Sequence, residues 1–145
     1  MTIASTCLLS PFGQLSPAPR PTAASRSKPT LENALTEYGC RLRPDGEDFL
    51  GRVGNLEVRT TTIADDAAQH IRLEIIAAER RLRQSAISVF DALAQEGHPI
   101  AGFGSGRGVV AFEFCWRHDP NRTWRDEAQR CLSLVDRVHT SVLNG

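Results

Sequence analysis

The stretch Ile100–Trp116, reading IAGFGSGRGVVAFEFCW, leaves this chain few ways to fold. Val110, Phe112, Phe114 and Trp116 alternate with Val109, Ala111, Glu113 and Cys115, the period-two pattern of a strand with one face in a core and one face out. Before them stand four glycines at alternate positions, Gly102, Gly104, Gly106 and Gly108. Such a run invites a phosphate-loop reading. Dinucleotide and P-loop sites, however, need a strand before the glycines and a helix after them, so that the helix N-terminus meets the phosphate. Here a strand follows, and Arg107 stands where a GxGxxG match needs its third glycine. The run is therefore expected to be a glycine-rich hairpin turn. If that turn holds a ligand, Gly104, Gly106 and Arg107 are its contacts, with Arg107 meeting an anion.

The rest of the chain supplies the partners for this strand. Residues 1–29 are rich in Ser, Thr, Pro and Ala, with Arg20, Arg26 and Lys28 and no acidic residue, a composition that cannot bury enough apolar surface to order itself. They are expected to form a disordered leader, and residues 30–145 a single domain. Thr30–Tyr38 reads as a short helix with Leu31, Ala34, Leu35 and Tyr38 on its apolar face. Arg41–Val53 carries a Pro44-Asp45-Gly46 turn and suggests a hairpin or a short irregular strand. Leu56, Val58, Thr60 and Thr62 then alternate as a half-buried strand.

The region Asp65–Gly97 admits two readings. One is a single long helix striped by Ile71, Ile75, Ala78, Leu82, Ala86, Val89 and Leu93. The other is a strand over His70–Ile76 and a helix beginning near Glu79. A helix of some 30 residues is far above the usual length, so strand then helix is preferred; Leu82–Gln95 is helical on both. Thr123, with Asp126 three residues on, caps a last helix striped by Trp124, Ala128, Cys131, Val135, Val138 and Val142. The expected fold is α+β: two layers, with a mainly antiparallel sheet of about four to five strands packed against two or three helices.

Charge and cysteine usage narrow the functions. The formal net charge is zero, which gives no steering toward nucleic acid or an anionic membrane, and no apolar run approaches a membrane span. Cys7, Cys40, Cys115 and Cys131 form no CxxC pair, so free thiols in a reducing, cytoplasmic setting are expected. Cys115, His118, Cys131 and His139 do not make a zinc set. Cys131 and His139 are eight residues apart on one helix, about 12 Å along its axis, too far to share one ion. Neither a metal nor a cofactor is implied. The local candidate for nucleophilic chemistry is Cys115 with His118, oriented by Asp119 or Glu113, against a plainer reading of Cys115 as a small buried packing residue.

In order and spacing, the Thr30 helix, the Leu56–Ile63 strand, the Leu82–Gln95 helix, the Gly102–Trp116 hairpin and the Trp124–Leu143 helix resemble the small α+β fold of bacterial type III secretion chaperones and YbjN-like regulators. That resemblance covers residues 30–144 and implies helix, three strands, helix, two strands, helix. It further implies a homodimer that binds an extended segment of an exported protein without catalysis. The residues point the same way: edge strands offer unpaired backbone groups to a peptide, and the helix stripes suit a two-fold dimer. A non-enzymatic, dimeric protein-binding module is the expectation. The alternatives are a small thiol- or ligand-dependent enzyme using Cys115, His118 and the glycine hairpin, and a regulatory domain holding an anion at Arg107.

Overall fold

The computed structural model describes residues 30–65 and 67–142; the leader over 1–29 and Asp66 lie outside them. The chain runs helix α1 (Leu31–Glu37), strands β1 (Leu42–Asp45), β2 (Asp48–Val53), β3 (Leu56–Ala64) and β4 (Gln69–Ala78), a 3-10 turn (Glu79–Arg81), helix α2 (Ala86–Gln95), strands β5 (Ile100–Gly106) and β6 (Val109–Arg117), and helix α3 (Trp124–Val142). All strand pairs are antiparallel, and the sheet order is β1-β2-β3-β4-β6-β5. The fold is α+β, as expected, with six strands instead of four or five. The extra one comes from Arg41–Val53, which delivers a full hairpin: Gly46, with φ of +67°, allows the chain to reverse between β1 and β2.

Residues 69–78 are a strand. Ile71, Leu73, Ile75 and Ala77 are buried while the residues between them are half-buried, so the period is two and not 3.6. The helix after it is shorter than expected: it begins at Ala86, not at Leu82 or near Glu79. Ser85 is extended and its hydroxyl accepts from the Ser88 backbone N–H, which satisfies an end donor and sets the start of the helix.

All three helices contribute to a core on one side of the sheet. Leu56, Val58, Ile71, Leu73, Ile75, Val110, Phe112 and Phe114 meet Leu31 and Leu35 of α1, Val89 and Leu93 of α2, and Ala128, Cys131, Leu134, Val135 and Val138 of α3. Tyr38, expected on the apolar face of the first helix, is instead 37% exposed. Its hydroxyl accepts hydrogen bonds from Gln129 Nε2 at 2.8 Å and Arg125 Nε at 3.3 Å on α3. The last position of the α3 stripe, the Val142 side chain, lies outside the described residues.

The outer face of the sheet is polar and laced with ions. Arg59 on β3 reaches Asp45 at 3.0 Å, Asp48 at 3.1 Å and Glu74 at 3.6 Å. Thr61 also donates a hydrogen bond to Asp48. These two donors hold the Asp48 carboxyl below the usual range, Thr61 contributing more than Arg59.

Candidate functional site

The glycine run closes as the hairpin expected of it. Arg107 and Gly108 form the two-residue connection between β5 and β6, with φ of 55° and 79°. Gly104 and Gly106 lie on the outer face of β5 and line a shallow groove of about 530 Å³, with Gly102, Ala111, Glu74 and Glu113 beside them. Arg107 is exposed at the turn and is not part of that lining. The three candidate residues therefore do not converge. The groove's charged lining is two carboxylates, directly paired across β4 and β6, the wrong sign for a phosphate.

Cys115 corrects a second expectation. It is exposed on the outer face of β6 and is not a buried packing residue. His118 follows the end of the same strand but turns the other way, toward α3. Its ring stacks on Trp124 with centroids 4.1 Å apart and planes 11° from parallel. No hydrogen bond joins Cys115 to His118, so the thiol–imidazole pair of the enzyme reading is not assembled.

What orients His118 is neither Asp119 nor Glu113 but Glu127, 2.7 Å from Nδ1. Glu127 is fully buried in the first turns of α3, where the helix dipole favours a negative charge. Trp116 Nε1 also donates to it at 3.4 Å, and Arg122 Nε lies 3.6 Å away. Three N–H groups thus converge on one buried carboxylate, the condition under which such burial is tolerable. A carboxylate accepts, so the imidazole carries its proton on Nδ1, and in the neutral ring Nε2 presents a lone pair.

Local sequence explains how this arises. The chain stops pairing after Arg117, yet the His118 backbone N–H still donates to the Gln69 carbonyl at 2.8 Å. That bond anchors the residue at the head of β4. Thr123 and Asp126 cap α3 reciprocally: the Thr123 hydroxyl accepts from the Asp126 N–H at 3.1 Å, and the Asp126 carboxylate from the Thr123 N–H at 3.2 Å. The capped helix then aims Glu127 inward. A signal for this was present in the sequence. Glu127 stands three residues after Trp124 and four before Cys131, on the apolar stripe, where a carboxylate must find donors.

His118 and Trp124 line a cleft of about 490 Å³ between the β3–β4 turn and the start of α3, with Asp65 and Arg117 at its sides. Asp65 shapes the turn: its Oδ1 accepts from the Ala67 and Ala68 N–H groups at 2.9 and 2.7 Å. These bonds, the one from Ala68 foremost, hold its carboxyl below the ordinary range.

Cys131, by contrast, is sealed in the core, and burial pushes its thiol up to about 12. Such a thiol is poor as a nucleophile or a ligand. Among the described residues no three His, Cys, Asp or Glu side chains gather to hold a metal ion, and no helix is long and apolar enough to cross a membrane. Compared with known proteins, the chain matches no family model, no curated protein and no solved structure.

Proposed function

We propose that this chain is a protein-binding module that adds an extended segment of a partner to the free edge of β5, and that it acts as a homodimer. The observation that carries this is the state of that edge. Strand β5 is seven residues long and contains no charged residue and no proline, two of the devices that normally protect an edge from strand addition; the protection it keeps is a register irregularity at one end, between Ile100 and Gly102. Apolar surface flanks it. Phe103 is 39% exposed, Val109 41%, and Ile87 on α2 58%. Phe90 of α2 packs on Phe103 with ring centroids 5.6 Å apart, which joins helix and strand into one apolar margin. A segment docking there would gain main-chain hydrogen bonds from the edge and side-chain burial from the margin.

The cargo would be an exported protein and the setting the bacterial cytoplasm, a chaperone or adaptor role that the resemblance to secretion chaperones suggests. Binding of this kind needs no metal, cofactor or catalytic step. Light scattering on the full chain tests the dimer, and Gly104→Lys tests the edge. A side chain at Gly104 meets nothing within 4 Å, so the variant folds while placing a charge on β5. Loss of self-association and of peptide binding is expected; a variant that still dimerises and binds as before refutes the β5 edge as the docking surface.

A further inference from the structure

The His118 cleft lies at the far end of β6 from the hairpin and plays no part in edge binding. We propose that it is an acyl-transfer site, in which His118 Nε2 attacks the carbonyl carbon of an uncharged aryl carboxylic ester and water then hydrolyses the acyl-imidazole. Three features support this. First, the His118 side chain is 10% exposed and Glu127 not at all, and Nδ1 is committed to Glu127, so the edge of the ring that remains open is the one carrying Nε2. No described residue is hydrogen-bonded to that nitrogen. The stack on Trp124 fixes the ring plane, which leaves the nucleophile preorganised. Second, among the described residues no hydroxyl or thiol lines the cleft. An imidazole there has no described protein nucleophile to activate and can act on the substrate itself; activation of a water instead would leave no acyl adduct on the ring. Third, the remaining described walls are Ala64, Ala67, Ala68, Pro120 and the Trp124 indole, with Gln69 the one uncharged polar residue among them. They suit an acyl or aryl group, while Asp65 in the same lining opposes a phosphate or other dianion.

The chemistry balances with water as the only co-reactant. Nε2 supplies the electron pair for the new N–C bond, and Arg117, in the lining of the same cleft, is the positive charge nearest at hand for the tetrahedral oxyanion that forms. Collapse breaks the C–O bond to the leaving group, which departs as a phenolate, since an unassisted alkoxide would lose out to expulsion of the imidazole, and takes its proton from solvent. The Nδ1 proton remains shared with Glu127, whose charge offsets the acylated ring. Water then attacks the acyl-imidazole: its hydroxyl joins the acyl group and leaves as the carboxylic acid, its other proton returns to solvent in place of the one the leaving group took, and the neutral ring is restored with its proton on Nδ1. Glu127 never touches the substrate; it is a positioning residue that sets the tautomer.

The test uses the full chain and 4-nitrophenyl acetate. Cys115 is exposed and is itself a thiol that acetylates, so all comparisons are made in the Cys115→Ala background, which lies outside the cleft. His118→Gln keeps an N–H toward Glu127 and so preserves the fold, which near-ultraviolet circular dichroism verifies through Trp116 and Trp124. The expected result is release of 4-nitrophenolate on the order of 10²-fold faster in the parent than in His118→Gln, with an acetyl adduct trapped on His118 by mass spectrometry. Equal rates in the two proteins, or acetyl found on the other histidines and not on His118, overturn the proposal. Glu127→Gln separates positioning from packing: it should lower the rate and displace the pH profile, and an unchanged profile removes Glu127 from the mechanism. Gly104→Lys should leave the hydrolysis intact, so failure of edge binding and failure of this site are read independently.

Discussion

The two edges of the sheet, β1 and β5, are built on opposite principles. Strand β1 is four residues long and carries Pro44, with Arg43 and Asp45 on either side. Proline removes a backbone donor and charge resists desolvation, so the strand is a poor template for another chain. It is also tied down laterally, since Arg59 on β3 reaches Asp48 on β2 and, across that strand, Asp45 on β1. Strand β5 has seven residues and none of these features, and Phe103 holds it to the body through Phe112, with ring centroids 6.4 Å apart, and through Phe90. One edge is closed by chemistry; the other, among the described residues, is uncovered and apolar. If β5 is the docking edge proposed above, it is marked by the protections it lacks as much as by the groups it presents.

The glycines differ between the two sides in the same sense. A Cβ at Gly51, on β2 beside the closed edge, would meet the Arg41 carbonyl oxygen at 2.6 Å and Leu42 Cδ2 at 2.7 Å. That glycine is required by close packing. Gly102, Gly104 and Gly106 on β5 meet nothing within 4 Å and need no positive φ. A glycine within a strand costs about 0.5–1 kcal/mol relative to alanine. Three of them with no steric need inside the chain are what an edge that receives another backbone would retain.

Removing the anchor of the open edge should have the largest effect. Phe112→Ala deletes a fully buried ring between β5 and the core and should cost about 3–5 kcal/mol, measured by urea unfolding; hydrogen exchange should show β5 released first. A loss below about 1 kcal/mol would mean that Phe103 and Phe90 hold the edge without it.

Gly51→Ala should come next, at about 1–3 kcal/mol, because backbone must move to admit the methyl group. Asp48→Asn should lower stability at neutral pH and flatten its acid dependence. The folded-state carboxyl titrates below its unfolded value of about 3.9, so its contribution is present above that pH and fades as pH falls through the lowered folded value. If the acid limb is unchanged in Asp48→Asn, the Arg59 network does not stabilise the closed edge. Gly104→Ala should be the smallest change and of opposite sign, stabilising by up to about 1 kcal/mol. A destabilising result would show that these glycines serve the fold after all.

Much of this architecture was legible in the residues. The alternation through Val110–Trp116 and Leu56–Thr62 reports burial directly, because successive side chains of a strand alternate faces whatever lies across from them. The Thr123–Asp126 cap was legible for a similar reason, since both partners lie within one turn. The start of α2 was misplaced because Leu82 continues the apolar periodicity, while Ser85, a cap three residues later, sets the boundary. The site was the least legible part. His118 stands out in the sequence, but its sequence neighbours Glu113 and Asp119 are not its partners; the carboxylate that binds it sits nine residues away on a different element.

The sequence by itself determined the α+β class and the hairpin at Arg107–Gly108, because these follow from local periodicity and from φ preferences; for residues 69–78 it left strand and helix both open, and the structure decided for the strand. Tertiary structure alone decided which strands became edges, that Cys115 faces solvent, and that Trp116, His118, Arg122 and Glu127 meet. Those outcomes depend on how α3 packs back across the end of β6, and that placement is set by contacts distant in the chain, which no local pattern encodes.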